Sequence, residues 1–197
     1  MVDVDPELKK ELTVRAEVSA HGDYSRPAPF KVFREKGKYM CIPRYFGIDR
    51  FGQCKTDTRP EPAPWTGTYN SITLRPGYQT ECVSKGIDAG HGVLTLPCGY
   101  GKTVCALAIA AHFRVRTMIV VHKEFLADQW IERIHQFFGS DVKIGRVQGP
   151  VCDIDGCDFV IALIQTMSQR DFEKGTFDSI GCLIVDEAHH ICAPVSY

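Results

Sequence analysis

The 197-residue sequence predicts an α/β fold: a parallel sheet sandwiched by helices, preceded by a small β-rich N-terminal region. Three observations carry this. Uninterrupted apolar runs at Thr117–Val121, Phe159–Ile164 and Cys182–Val185 suit strands buried on both faces. Between the first two, Phe125, Leu126, Trp130, Ile131, Ile134, Phe137 and Phe138 recur on a helical period until Gly139 stops it. Upstream, a glycine-rich turn at Pro97–Gly101 separates the apolar run Val93–Leu96, which reads as a short buried strand, from the Ala-rich helical stretch Val104–Phe113.

Residues 1–11 are polar and charged and read as loose. Leu12, Val14, Ala16 and Val18 alternate with Thr13, Arg15 and Glu17, as in a half-buried strand. His21–Pro29 reads as a turn. Two short strands then flank Glu35-Lys36-Gly37-Lys38 as a hairpin. From Arg26 to Arg50 there are seven Lys/Arg against two Asp/Glu, interleaved with aromatics. Single-stranded nucleic acid can stack on such a hairpin. Alternation alone predicts the plainer arrangement, aromatics to the core and lysines to water.

Residues 53–71, with Pro60, Pro62, Pro64 and Gly67, read as a linker or irregular wrap, dividing the chain into regions 1–70 and 71–197. Thr73–Gln79 leads into a short helix ending near Ile87, and Gly90-His91-Gly92 redirects the chain. Val142–Val147 is a short strand, Val151–Asp158 a hairpin turning on Asp155-Gly156, and Ser168–Phe177 a short helix or polar loop.

A composition 44% hydrophobic can bury a core, and the net charge of -1 excludes a uniformly basic nucleic-acid binder. The nine cysteines are odd in number and scattered, and no signal peptide is evident. Reduced thiols in an intracellular compartment, nucleus or cytoplasm, are expected. No apolar stretch approaches the roughly 20 residues of a membrane helix, so no membrane partner is expected. Cys152 and Cys157 lack a matching second pair, which argues against zinc. Cys98 reads as a small loop filler.

The chemistry is concentrated in two clusters. Gly99 and Gly101 let the backbone curl so that successive N–H groups form an anion nest at a helix N-terminus. In that setting Lys102 reaches the outer phosphates of a nucleotide and the Thr103 hydroxyl holds Mg²⁺. The strict pattern G-x-x-x-x-G-K-[ST] would place glycine where Leu96 stands. Asp186 and Glu187 follow an apolar strand, where ligands bind in open α/β sheets. Such an Asp holds the metal, and the adjacent Glu orients and deprotonates an attacking water.

Gly99-Tyr100-Gly101-Lys102-Thr103 and Asp186-Glu187-Ala188-His189 resemble motifs I and II of superfamily 2 helicases of the Asp-Glu-x-His kind. Leu74–Gln79 resembles their adenine-side motif, with Gln79 reading the base and Arg75 near it. Val120–Trp130 resembles motif Ia, and Ile164-Gln165-Thr166-Met167 a later motif touching the nucleic-acid backbone. The wording is nearest to XPB-like helicases, and within them to those of large DNA viruses. The stretches Leu12-Thr13-Val14 and Pro43–Gly47 look like the front end of that viral group. The resemblance is strong from about Leu74 and weaker before it.

It implies a RecA-like first motor lobe taking ATP and Mg²⁺. Gly99, Tyr100, Gly101, Lys102, Thr103 and Val104 would cradle the phosphates, and Thr103 with Asp186 would hold the metal. Glu187 and Lys102 would be catalytic, and His189 would couple nucleotide to nucleic acid. Lys123, Gln165 and Thr166 would meet a nucleic acid, DNA before RNA. An intracellular setting, including the host cell of a large DNA virus, follows from the same likeness. Trp130 and Phe125 read as core rather than base-stacking.

The sequence ends just after motif II, without a Ser-Ala-Thr motif or a second RecA-like lobe. The expectation is a fragment or front piece that neither unwinds nor translocates alone, with feeble hydrolysis for want of an arginine finger. A nucleic-acid-binding adaptor on an inert scaffold, and a non-helicase ATPase, are the competing readings.

Overall fold

A computed structural model describes residues 1–15, 28–69 and 72–190. Two compact units emerge, Met1–Thr58 and Arg59–Tyr197.

The first unit opens with strand β1 (Val2–Asp3) and helix α1 (Pro6–Glu11), where a loose tail was expected. Local chemistry explains the helix. Asp5 Oδ1 accepts the Glu7 amide at 2.8 Å, Pro6 starts the first turn, and Lys9 and Lys10 sit in the last. Strand β2 (Thr13–Val14) pairs antiparallel with β3 (Phe30–Lys31). The expected longer strand is interrupted at its start, since Leu12 caps α1 and is buried, and its remainder at 16–18 lies outside the described residues. So does the turn predicted at His21–Pro29, up to residue 27.

Strands β4 (Arg34–Lys36) and β5 (Tyr39–Cys41) form the predicted hairpin, with Gly37 at φ 60°. The sheet order is β1-β5-β4. Its inner face places Met40 against Leu8, Leu12 and Phe33. Helix α2 (Arg44–Phe51), which sequence patterning did not indicate, buries no residue fully and stops at Gly52, φ 79°.

The second unit starts with the proline-rich stretch. It is a wrap with specific anchors, not a free linker. Trp65 N–H donates to the Arg114 carbonyl and the Arg116 N–H to the Ala63 carbonyl. The Trp65 ring packs against Phe138 and Phe159 in the main core. Asp158, fully buried, accepts the Thr66 amide at 2.6 Å, the Thr66 hydroxyl at 3.3 Å, and the Tyr69 hydroxyl. Burial, then the Asp158 carboxylate, pushes the Tyr69 phenol well above its usual range.

Helices α3 (Tyr78–Ala89) and α4 (Lys102–Phe113) follow, then β6 (Thr117–Val121), α5 (Glu124–Phe138), β7 (Ile144–Gln148), β8 (Val151–Cys152), β9 (Phe159–Leu163), α6 (Ile164–Gln169) and β10 (Cys182–Val185). The five-stranded sheet has order β10-β6-β9-β7-β8, parallel except for the β7–β8 pair. Helices flank it, as the sequence predicts. Ile119, Val121, Phe159 and Ile161 belong to one core cluster and Met118, Val120, Val160 and Ala162 to another. That division is why the apolar runs show no alternation.

Two local expectations are corrected. No strand forms at Val93–Leu96: Val93 is 81% exposed, and no described residue offers this segment a ladder. The hairpin near residue 150 turns at Gly149, φ 55°, joining β7 to β8. Asp155-Gly156 instead turns the chain into β9, which pairs in parallel between β6 and β7. Of Ser168–Phe177, read as a short helix or polar loop, only Ser168 and Gln169 are helical, as the end of α6, and the remainder is loop.

Candidate functional site

Strands β10, β6, β9 and β7 share a direction, so their C-terminal ends lie along one sheet edge. Asp186-Glu187 follows β10, His122-Lys123 follows β6, and Gln165 follows β9. Short hydrogen bonds tie these loops together. The Asp186 N–H donates to the Val120 carbonyl at 2.9 Å, and Gln165 Nε2 donates to the His122 carbonyl at 2.8 Å. Thr166 Oγ1 accepts the Gly149 N–H at 2.9 Å.

Topology brings the glycine loop to the same edge. Only residues 114–116 separate α4 from β6, so α4 runs back along the sheet, where it packs on β10 and α5. Its 12 residues span about 18 Å, close to the roughly 16 Å of the 5-residue β6. Lys102, in the first turn of α4, therefore lies toward the strand ends that carry Asp186 and Glu187.

Within the loop, Gly99 and Gly101 both take positive φ, 78° and 85°. Gly101 caps α4 without a side-chain hydrogen bond, so the amides of Lys102, Thr103 and Val104 open the helix uncapped by any side chain. No hydrogen bond or ion pair engages the Lys102 ammonium among the described residues. Uncapped amides beside an unengaged cation suit a polyanion.

Gln79 is the brace of this loop. It is 3% exposed, accepts the Arg75 N–H at 2.8 Å through Oε1, and donates Nε2 to the Tyr100 carbonyl at 3.0 Å. A Cβ on Gly101 would lie 2.5 Å from Gln79 Nε2, so any side chain there would have to displace Gln79 as well as adopt a left-handed φ. One amide N–H and one lone pair of Gln79 remain for a ligand. The Tyr78 and Tyr100 rings lie 4.9 Å apart, and Arg75 Nη1 reaches the Tyr78 hydroxyl at 3.4 Å. Sequence reading passed over Tyr78; its position directly before Gln79 was the available signal.

On the acidic side, Trp130 is buried in the core as expected, yet its Nε1 also donates to Asp186 Oδ2 at 2.9 Å. No sequence pattern pairs these two, since the contact joins α5 to the end of β10. It orients the carboxylate and leaves Oδ1 for a further donor or metal. Glu187 holds φ 52°, a left-handed conformation costing about 1–2 kcal/mol for an L-residue. His189 Nδ1 lies 3.4 Å from Glu187 Oε2, an ion pair when the imidazole is protonated. Phe125, expected in the core, is 55% exposed, with the Lys123 ammonium 5.9 Å from its ring centre. Lys123 is the extended N-cap residue of α5.

Comparison with known proteins adds a separate line. The family model described as "Type III restriction enzyme, res subunit" matches residues 71–197. A protein of Acanthamoeba polyphaga mimivirus, provisionally named an ATP-dependent RNA helicase, is 35% identical over 195 residues, 95% of this chain and 37% of its own length. The DNA 3'-5' translocase XPB2 of Sulfurisphaera tokodaii is 34% identical over 122 residues, 62% of this chain and 26% of its own. The DNA 3'-5' helicase XPB of Kineococcus radiotolerans is 31% identical over 131 residues, 62% and 23%. The chain thus spans less than two fifths of the length of each of these relatives.

Proposed function

The chain belongs to the type III restriction enzyme res-subunit family, in the company of viral and XPB helicases, and on that premise we propose that it is the ATP-binding first lobe of a nucleic-acid helicase or translocase. The observation that carries the reading is the pair of left-handed glycines opening an uncapped α4 that begins with Lys102, directed to the edge that bears Asp186 and Glu187.

In this reading the amides of Gly99 through Val104 and the Lys102 ammonium hold the phosphates of ATP. Thr103 Oγ1 and the free oxygen of Asp186 are the groups that would hold Mg²⁺, a hard cation suited to oxygen donors. An ion held by these groups would supply neutralisation of charge on the phosphoryl oxygens. Glu187 orients a water and takes its proton, while Lys102 stabilises charge developing on the transferred group. The remaining amide capacity of Gln79, with Arg75 beside it, meets the adenine edge. His189, 3.4 Å from Glu187, links the water-activating carboxylate to the nucleic-acid side. Lys123, Gln165 and Thr166 contact a phosphate backbone, of DNA in preference to RNA. The setting is intracellular. A second RecA-like lobe completes the motor, so hydrolysis by this chain alone is feeble.

Titration with MgATP tests the binding step: Lys102→Ala should abolish binding that the unaltered chain shows, and equal affinity would refute it. Supplying a second lobe in trans should produce DNA-stimulated hydrolysis that Glu187→Gln removes.

The first unit favours a second contact. Tyr39 and Tyr45 are exposed, with Lys38 and Arg44 at 5.3 and 5.5 Å from their ring centres. Phe30 and Phe51 are also exposed, so only part of the aromatic set serves the core. We assign these exposed rings and their cations to single-stranded nucleic acid, by stacking and charge. Tyr39→Ala with Tyr45→Ala in the full chain should weaken oligonucleotide binding while leaving MgATP binding intact.

A further inference from the structure

Helices α3 and α4 lie side by side and run in the same direction. Gln79 meets Tyr100 and Gly101 at one end of the seam. Further along, a Cβ on Gly86 would come within 2.6 Å of Ile109 Cδ1. One helical turn before each member of that contact stand Cys82 and Cys105, at matching positions along the same seam. Cys105 is fully buried, whereas Cys82 is half-buried. Access is therefore unequal within one facing pair: an oxidant in solvent reaches Cys82 first, and Cys105 waits directly beside it.

We propose that Cys82 and Cys105 form a reversible oxidation site that closes a disulfide between α3 and α4 in response to hydroperoxides. Cys82, as thiolate, attacks the peroxide; the O–O bond breaks, hydroxide leaves, and the sulfur, oxidised by two electrons, becomes a sulfenic acid. Cys105 sulfur then displaces the sulfenic hydroxyl. The S–S bond forms as the S–O bond breaks, and the Cys105 proton leaves with the hydroxyl as water. A dithiol reductant returns both thiols. Burial pushes the Cys105 thiol up to about 11, which keeps it protonated and slow toward the oxidant, so that Cys82 is the sulfur oxidised first. The cross-link staples the two helices whose first turns carry Gln79 and the glycine loop, and it stands whether or not that loop takes a nucleotide.

The test treats the full chain with hydrogen peroxide and maps its peptides without reduction. A Cys82–Cys105 linked peptide, two hydrogens lighter than its parts and cleaved by dithiothreitol, is expected. The melting temperature of the oxidised chain should rise, because the link removes conformations from the unfolded state, and should not rise in Cys82→Ala. Cys105→Ala should leave a Cys82 sulfenic acid that dimedone traps. Passage of Cys82 to sulfinic acid in the unaltered chain without a link would overturn the proposal. So would pairing of either residue with Cys98, or an unmodified Cys82.

Discussion

Replacing Gly101 by alanine tests whether Gln79 braces the glycine loop. Two costs arise at one atom. The φ of 85° is left-handed, which costs an L-residue roughly 1–2 kcal/mol. The new Cβ would also lie 2.5 Å from Gln79 Nε2, an atom held by its bond to the Tyr100 carbonyl inside an almost fully buried side chain. If Gln79 shifts to make room, a buried amide loses its partner, at about 1–3 kcal/mol. The sum is about 2–5 kcal/mol. Gly99→Ala is the control in the same loop: φ is 78°, but nothing lies within 4 Å of its Cβ, so only the roughly 1–2 kcal/mol backbone cost applies. A Gln79→Ala background removes the obstructing atom, and Gly101→Ala should then cost no more than the control. Urea unfolding of the four variants, with unchanged m-values, gives a coupling of about 1–3 kcal/mol between positions 79 and 101. Additive costs, or Gly101→Ala no more harmful than Gly99→Ala, would refute the brace.

Trp130→Phe keeps most of the core contact but removes the donor to Asp186 Oδ2. MgATP affinity, read by titration over a range of magnesium concentrations, should fall several-fold, with a larger loss at low magnesium. Asp158→Ala strips three donors of their shared acceptor and should cost about 3 kcal/mol or more in urea unfolding, with Trp65 fluorescence as the probe. Tyr69 supplies a pH dependence. Its folded phenol holds its proton above the ordinary value of 10.0, first through burial and then through Asp158. The associated stability is complete below about pH 10 and declines as pH rises beyond it, because the unfolded phenol ionises while the folded one does not. Tyr69→Phe should flatten that alkaline decline in the urea midpoint.

The glycine turn and the helix that follows it at Lys102, and the carboxylates after an apolar strand, were legible because each depends on neighbours in the chain. The parallel sheet was legible in the same way, from runs such as Phe159–Leu163 that show no polar face. Where reading failed, a distant partner decided. Val93–Leu96 carries the apolar character of a strand, but a strand exists only through a ladder, and none of the described residues forms one with it. Asp155-Gly156 has hairpin chemistry, yet β9 takes its hydrogen bonds in parallel from β6 and β7. Phe125 occupies an apolar position on the helical period of α5 but lies at its first turn, where the helix leaves the core. The proline-rich stretch read as either a linker or an irregular wrap, and the anchor that decides for the wrap, Asp158, lies far along the sequence.

By itself, the sequence determined the glycine turn, the helix behind it and the buried strands, and nominated candidate side chains, since glycine spacing, helix periodicity and apolar runs are properties of adjacent residues. Tertiary structure alone decided how those groups are held: Gln79 against Gly101, Trp130 on Asp186, Cys82 facing Cys105. Each of these pairs joins two elements that only packing brings into contact, and no pattern along one chain encodes which faces will meet.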